Sequence, residues 1–226
     1  MGRKIVVTSG KGGVGKTTLT ASLGIAIAET GKKVVLVDAD IGLNNLDVVL
    51  AVENKVVYDV LDVISGKCRL KQALIQDVDN PTLYVLPSAK IQDSPLITAC
   101  SFRNVVDALA LNFDFVIIDC PAGIDNGFHR AVSAATEAIV VTTPHISAVR
   151  DADKVLSILS GYCLMSVGLV VNRVRGDMVS KGEMMSAGDI VRAVRCEPVG
   201  VIPEDDYITM YSQTGKVPFD TRFFGL

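Results

Sequence analysis

A chain of 226 residues with 49% hydrophobic and 21% charged content suits one compact domain with a sizeable buried core. Its formal net charge of −3 argues against a general basic footprint for nucleic acid, and no apolar run approaches the length of a membrane span. Met1-Gly2-Arg3-Lys4 enters a strand pattern almost at once, which reads as no room for a signal or transit peptide. Gly2 does not make an acylation motif, because residue 6 is Val rather than Ser or Thr. Cys68, Cys100, Cys120, Cys163 and Cys196 are dispersed, with no C-x-x-C pair, so they read as reduced thiols in a cytosol-like compartment.

In chain order, Lys4–Ser9 reads as a strand, followed by a glycine-rich loop and a helix from near Thr18 to about Thr30 that Gly31 ends. Lys33–Val37 is a near-continuous apolar run, the pattern of a strand buried on both faces, and it leads into the polar segment Asp38 to Asp47. Val56–Ser65 and Leu70–Ile75 read as helices, Leu83–Leu86 as a short strand closed by Pro87, and Ala99–Leu111 as a helix. Phe113–Ile118 is a second buried strand, then Ala131–Ala135 a short helix, Ala138–Thr142 a strand and Val149–Ser160 an amphipathic helix. Val167–Val171 is a strand, Ser186–Val194 a helix and Pro198–Ile202 a strand, and Pro203-Glu204-Asp205-Asp206 opens a last helix. Strands alternating with helices predict a three-layer α/β sandwich with a mostly parallel central sheet, forming a single domain over 1–226. The polar motifs all fall just after strands, where open parallel sheets bind ligands.

The most informative of them is Gly10-Lys11-Gly12-Gly13-Val14-Gly15-Lys16-Thr17-Thr18, which fits G-x-x-x-x-G-K-[ST] with a strand before it and a helix after. Glycines let backbone N–H groups turn inward onto phosphate oxygens, and the following helix adds its N-terminal N–H groups and dipole. Lys16 can reach the β- and γ-phosphates, and the Thr17 hydroxyl can ligate Mg²⁺. Asp119 follows four apolar residues of a strand, an arrangement that can hold a water of the Mg²⁺ shell. Asp38 and Asp40 end the second strand; a carboxylate there can orient an attacking water, while one of the two can simply cap the strand end. The amide of Asn172 offers a donor and an acceptor that suit an adenine edge, and the Asn-x-Lys-Asp tetrad of guanine-specific sites is absent from the sequence.

Lys11, directly after the first glycine, makes the loop resemble that of the deviant Walker A family of P-loop ATPases, which includes the MinD and ParA proteins. The resemblance covers about Lys4 to Val217 and is nearest the MinD type. Beyond the loop it rests on Asp40-Ile41-Gly42-Leu43, Asn45-Leu46-Asp47, Pro121-Ala122-Gly123-Ile124, Val149-Arg150-Asp151, Gly182-Glu183-Met184-Met185-Ser186 and Gly200-Val201-Ile202-Pro203-Glu204-Asp205. It implies a P-loop NTPase fold of the SIMIBI type and a slow ATPase with ATP and Mg²⁺. Gly10 to Thr18, Gly123, Asn172, Arg173, Pro203 and Asp205 would hold nucleotide, and Thr17, Asp38 and Asp119 would serve the metal. Lys11, Lys16 and Asp40 would carry the chemistry, Lys11 reaching across a nucleotide-sandwich homodimer as a cation supplied in trans.

The same resemblance implies a protein of the cytoplasm and inner membrane surface that places the division septum. Its expected partners are a septum inhibitor and a topological specificity factor, MinC- and MinE-like proteins, docking near Asp151 and Asp153. Two departures stand out. Asn44 replaces a usual arginine, and Cys120 a usual serine, Cys120 reading as a small buried residue. At the C-terminus, 216–226 reads either as a remnant of a membrane-targeting tail or as an end segment that packs on the domain or is disordered. Phe219, Phe223 and Leu226 share a helical face there but have little positive charge around them, so membrane binding is expected to be weakened or lost. Two other readings compete: a ParA-type partition ATPase binding non-specific DNA through Arg173, Arg175, Lys181, Arg192 and Arg195, and a nucleotide-holding scaffold with little turnover.

Overall fold

The computed structural model describes residues 1–42, 45–90 and 94–205. Its eight strands form one sheet in the order β3-β4-β2-β5-β1-β6-β7-β8, parallel throughout except where β3 meets β4. The strands are β1 (Arg3–Thr8), β2 (Val34–Asp38), β3 (Ile75–Gln76), β4 (Leu83–Leu86), β5 (Phe115–Asp119), β6 (Glu137–Thr142), β7 (Ser166–Val174) and β8 (Pro198–Pro203). The α-helices are α1 (Lys16–Glu29), α2 (Leu46–Val49), α3 (Val60–Ile64), α4 (Leu70–Ala73), α5 (Ala99–Ala110), α6 (Asn126–Ala134), α7 (Ile146–Leu159), α8 (Gly176–Ser180) and α9 (Ala187–Val194).

Because side chains alternate along a strand, each central strand feeds two cores. Val6, Val35, Val37 and Ile118 face the layer of α5, α6, α7 and α9, where Phe102, Phe128, Val155 and Ile190 are buried. Val7, Leu36 and Ile117 face α1 through Leu19, Ala21 and Ile25. This is the expected three-layer sandwich. The chain leaves β1 in one direction toward β2 and returns to β6 on the other side, so the loop after β1 lies at the point where strand order reverses.

Several boundaries differ from the sequence reading. Helix α1 starts at Lys16, because Gly15 in the left-handed conformation (φ 96°) sets up its N-terminus. The expected helix over Val56–Ser65 is only α3, since the Asp59 carboxylate accepts from the backbone N–H groups of Leu61 and Asp62 and fixes the start there. Leu70–Ile75 is split: Ile75 leaves the helix to pair with Val85 across an antiparallel ladder, a contact no local pattern announces. Helix α6 begins at Asn126, five residues before the expected Ala131; its first turn, Asn126-Gly127-Phe128-His129, is mostly polar in sequence, and the buried Phe128 ties it to the core. The short helices α2 and α8 went unread. The expected last helix and the tail over 216–226 lie outside the described residues beyond Asp205. Among the described residues no helix is long and apolar enough to cross a membrane. All five cysteines are free thiols.

Candidate functional site

The site is built at the C-terminal ends of β1, β2 and β5. The loop from Ser9 to Gly15 is held from three sides. The Ser9 hydroxyl donates to the Lys11 carbonyl at 2.7 Å. Gly10 lies against α7 so closely that a Cβ would be 2.5 Å from the Asp151 carbonyl oxygen. Across the loop, the Asn172 Nδ2 donates to the Val14 carbonyl at 2.8 Å. Gly12 and Gly13 are exposed, Val14 is anchored in the core beside α1, and Gly12 faces Ala122 of the loop after β5.

Lys16 and Thr17 open α1, whose first-turn N–H groups and positive dipole end point out of the same loop. Lys16 is buried, 8% exposed. The Thr17 hydroxyl donates to Asp119 Oδ2 at 2.7 Å, and Thr20, one turn on, donates to Asp119 Oδ1 at 3.3 Å. Asp38 and Asp119 are register partners on adjacent parallel strands, so the two carboxylates stand side by side, each 1% exposed. Burial, and then the neighbouring Asp119, push the Asp38 carboxyl up to about 7. Burial pushes Asp119 up to about 6 against the pull of Thr17 and Lys16. Asp40, half-buried, is also raised by burial, while Lys16 and Asn45 draw it down.

Two buried carboxylates with raised pKa mark a site short of positive charge. The donor set there is a hydroxyl and carboxylates, all hard oxygen ligands, which fits Mg²⁺ and not a thiolate-loving metal. Among the described residues no group of three or more acidic, His or Cys side chains could hold a metal by itself. The remaining ligands would be water and phosphate oxygens, as Mg²⁺ favours in phosphoryl-transfer sites.

Asp38 has a second task. Its Oδ1 accepts from the Asp40 N–H at 2.9 Å and its Oδ2 from the Leu46 N–H at 3.2 Å. It therefore shapes the segment that carries Asp40, the capping part that the sequence left open between the two. Asn172, Arg173, Pro203 and Asp205 line one pocket with Gly15 and Thr18, Arg173 at φ 60°. Gly123 adopts φ 90° in the loop between β5 and α6. Cys120 is buried with its thiol pushed up to about 12 by desolvation, an inert packing residue as expected. Lys11 is exposed and donates to Ser147 Oγ of α7 at 3.2 Å.

The structure thus brings Asp38, Asp40 and Asp119 together with Lys16 and Thr17 of the loop, while the Asn172–Asp205 pocket opens at Gly15 and Asp40 lines a separate cavity with Pro121 and Arg130. Sequence reasoning missed Ser9, Thr20 and Ser147. A serine at the mouth of a glycine loop was a legible signal for Ser9. Thr20 follows from one-turn spacing after Thr17. Nothing local pointed to Ser147, 136 residues from Lys11.

A parallel sheet with this loop at its switch point, a buried lysine and a threonine–aspartate pair defines a P-loop nucleoside-triphosphatase. The model of the AAA domain family matches residues 2–161. A putative septum site-determining protein MinD of Guillardia theta is 48% identical over 216 residues, covering 96% of this chain and 80% of the relative. The structure of the MinC:MinD cell division protein complex of Aquifex aeolicus superposes with a TM-score of 0.86 at 42% identity, covering 95% of this chain and 87% of that one. MinD of Pyrococcus horikoshii, solved complexed with Mg-ADP, gives 0.84 at 34% identity over 96% of this chain and 87% of that one. The chain belongs to the MinD family of septum site-determining ATPases.

Proposed function

We propose that this chain is a nucleotide-switched homodimer whose slow ATP hydrolysis is accelerated by a protein partner. The reading is carried by one observation: Thr17 bonds Asp119 at the start of α1, and the charges of Lys16 and Asp40 both act on Asp119, while Lys11 stands exposed on the same loop. Lys16 would hold the β- and γ-phosphates, with the N–H groups of the loop and of the α1 start. Thr17 and Asp119, with Asp38 behind them, would hold Mg²⁺, which when bound neutralises charge on the phosphates. Asp40 would orient the attacking water and take up its proton, a role its raised pKa suits. Asn172, Arg173, Pro203 and Asp205 would frame the adenine, and Gly123 would offer its N–H toward the terminal phosphate.

Lys11 would leave Ser147 of its own subunit and act on the nucleotide of a second copy. Its site in a twin supplies the last catalytic contact, and a group supplied in trans is worth about 10³–10⁵ in rate in related systems. Because α7 touches the loop at Gly10 and at Lys11, nucleotide state would reach Asp151 and Asp153 on that helix, where a MinC-like septum inhibitor and a MinE-like specificity factor would dock. Attachment to a membrane surface through residues 216–226 would be weak or absent, because positive charge is sparse there. The DNA-binding alternative is weakened by local pairing of its basic residues, Arg175 with Asp177 and Arg192 with Asp189. The deciding test is Asp40→Ala. With ATP and Mg²⁺ it should sediment as a dimer and release no phosphate; a monomer would sink the sandwich, and normal turnover would remove Asp40 from the chemistry.

A further inference from the structure

The hydrogen bond from Asn172 to the phosphate loop has no place in a purely base-reading role. Asn172 is on β7, 158 residues from Val14 in sequence. It reaches the loop because β7 carries one extra residue there: Val171 pairs with Val201 and Val174 with Pro203, three steps against two. Arg173, at φ 60°, absorbs the excess, and the bulge turns the strand end toward α1. A left-handed conformation is uncommon for a non-glycine residue, and such outliers persist where the surroundings demand them.

The Gly15 side of the contact is equally constrained. A Cβ on Gly15 would lie 2.4 Å from Asn172 Nδ2, so the amide occupies the space any other residue would fill. Among the described residues no side chain caps α1; the Val14–Gly15 peptide is what sets its start. A primary amide has two N–H donors and two lone pairs. Asn172 spends one donor on the Val14 carbonyl and one lone pair on the Arg173 N–H, at 3.0 Å. One donor and one lone pair remain, which is what an adenine edge takes.

We propose that Asn172 is a positioning residue for the phosphate loop: through Val14 it fixes the peptide that presents Lys16 and the first turn of α1, making base and phosphate recognition one hydrogen-bonded unit. The proposal rests on the nucleotide reading above for its consequence, though the bond itself needs no ligand.

It follows that losing the amide weakens a ligand with no base at all. The test compares wild type, Asn172→Ala and the isosteric Asn172→Asp, which keeps volume but cannot donate to Val14. Calorimetry with Mg²⁺ and either ATP or inorganic triphosphate gives the first readout. Hydrogen exchange of the 10–18 segment in the ligand-free chain gives the second. Both variants should lose roughly 3- to 10-fold affinity for triphosphate as well as for ATP, the worth of one hydrogen bond. Exchange in the loop should quicken by a similar factor, with β1 and β5 unchanged. Triphosphate affinity within twofold of wild type, or loop exchange unmoved in Asn172→Asp, overturns the proposal and leaves Asn172 as a base reader. If wild type binds neither ligand, the nucleotide reading fails, and the exchange arm alone decides whether Asn172 braces the loop.

Discussion

Strand β1 is six residues long, and its two ends treat charge in opposite ways. At its start, Arg3 meets Glu137 and Lys4 meets Asp107, both at 2.6 Å, with Arg3 and Asp107 reaching solvent. Past its other end lie Lys16, Asp38 and Asp119, all buried, the two carboxylates side by side and short of positive charge. The first end is complete by itself. The second is a folded arrangement that costs stability until a phosphate and a cation arrive, and sites of function are where such local costs are tolerated.

Mutations should separate the two ends sharply. The largest effect is expected from Lys16→Ala, which removes a buried cation from the phosphates. ATP affinity measured by calorimetry should fall roughly 10²–10³-fold, and the unfolding midpoint of the ligand-free chain should fall too, because Lys16 offsets the negative charge of Asp119 and Asp40. Affinity within tenfold of wild type would erase the contrast. Next comes Asp119→Asn. Removing a buried negative charge whose carboxyl already resists ionisation should stabilise the ligand-free chain at neutral pH by on the order of 1–3 kcal/mol. Mg²⁺-dependent turnover should collapse in the same variant. Urea unfolding in a chelator, beside a phosphate-release assay, checks both signs at once, and a destabilised Asp119→Asn would refute the claim that this end is strained.

The smallest effect belongs to the opposite end. Arg3→Ala should cost about 0.5 kcal/mol, as exposed ion pairs do, and leave ATP binding untouched. Arg3 holds the Glu137 carboxyl below its ordinary range. A group with a lowered pKa contributes its stability above the ordinary carboxylate value and loses it as pH falls through the lowered one. Wild type and variant should therefore differ at neutral pH and converge in acid, in urea titrations run at several pH values. A difference that grew on acidification would show that the pair is not the source.

Much of the phosphate end was legible beforehand. The loop from Gly10 to Thr18 needs glycine conformations, a lysine and a hydroxyl at set intervals, and those demands are written locally. Asp119 and Asp38 were legible because a buried apolar strand that ends in aspartate leaves its carboxylate at the C-terminal end of the sheet, and Asp40 was picked out by the family resemblance of the segment that follows. The antiparallel strand β3 was not legible, since Ile75 becomes a strand residue only by pairing with Val85. Nor was the division of labour between Asp38 and Asp40, which turns on two backbone N–H groups that Asp38 captures.

By itself, then, the sequence determined the alternation of strands and helices, the phosphate-binding chemistry and the family resemblance, because each is read from local patterns, one segment after another along the chain. Only the tertiary structure decided that Asn172 braces Val14, that Lys11 rests on Ser147, and that Asp38 stands beside Asp119. Those contacts join residues from 81 to 158 positions apart, Asp38 and Asp119 being the nearest in sequence and Asn172 and Val14 the farthest. They arise from sheet register, from an irregularity in the β7–β8 ladder and from α7 packing on the loop, none of which a local pattern encodes.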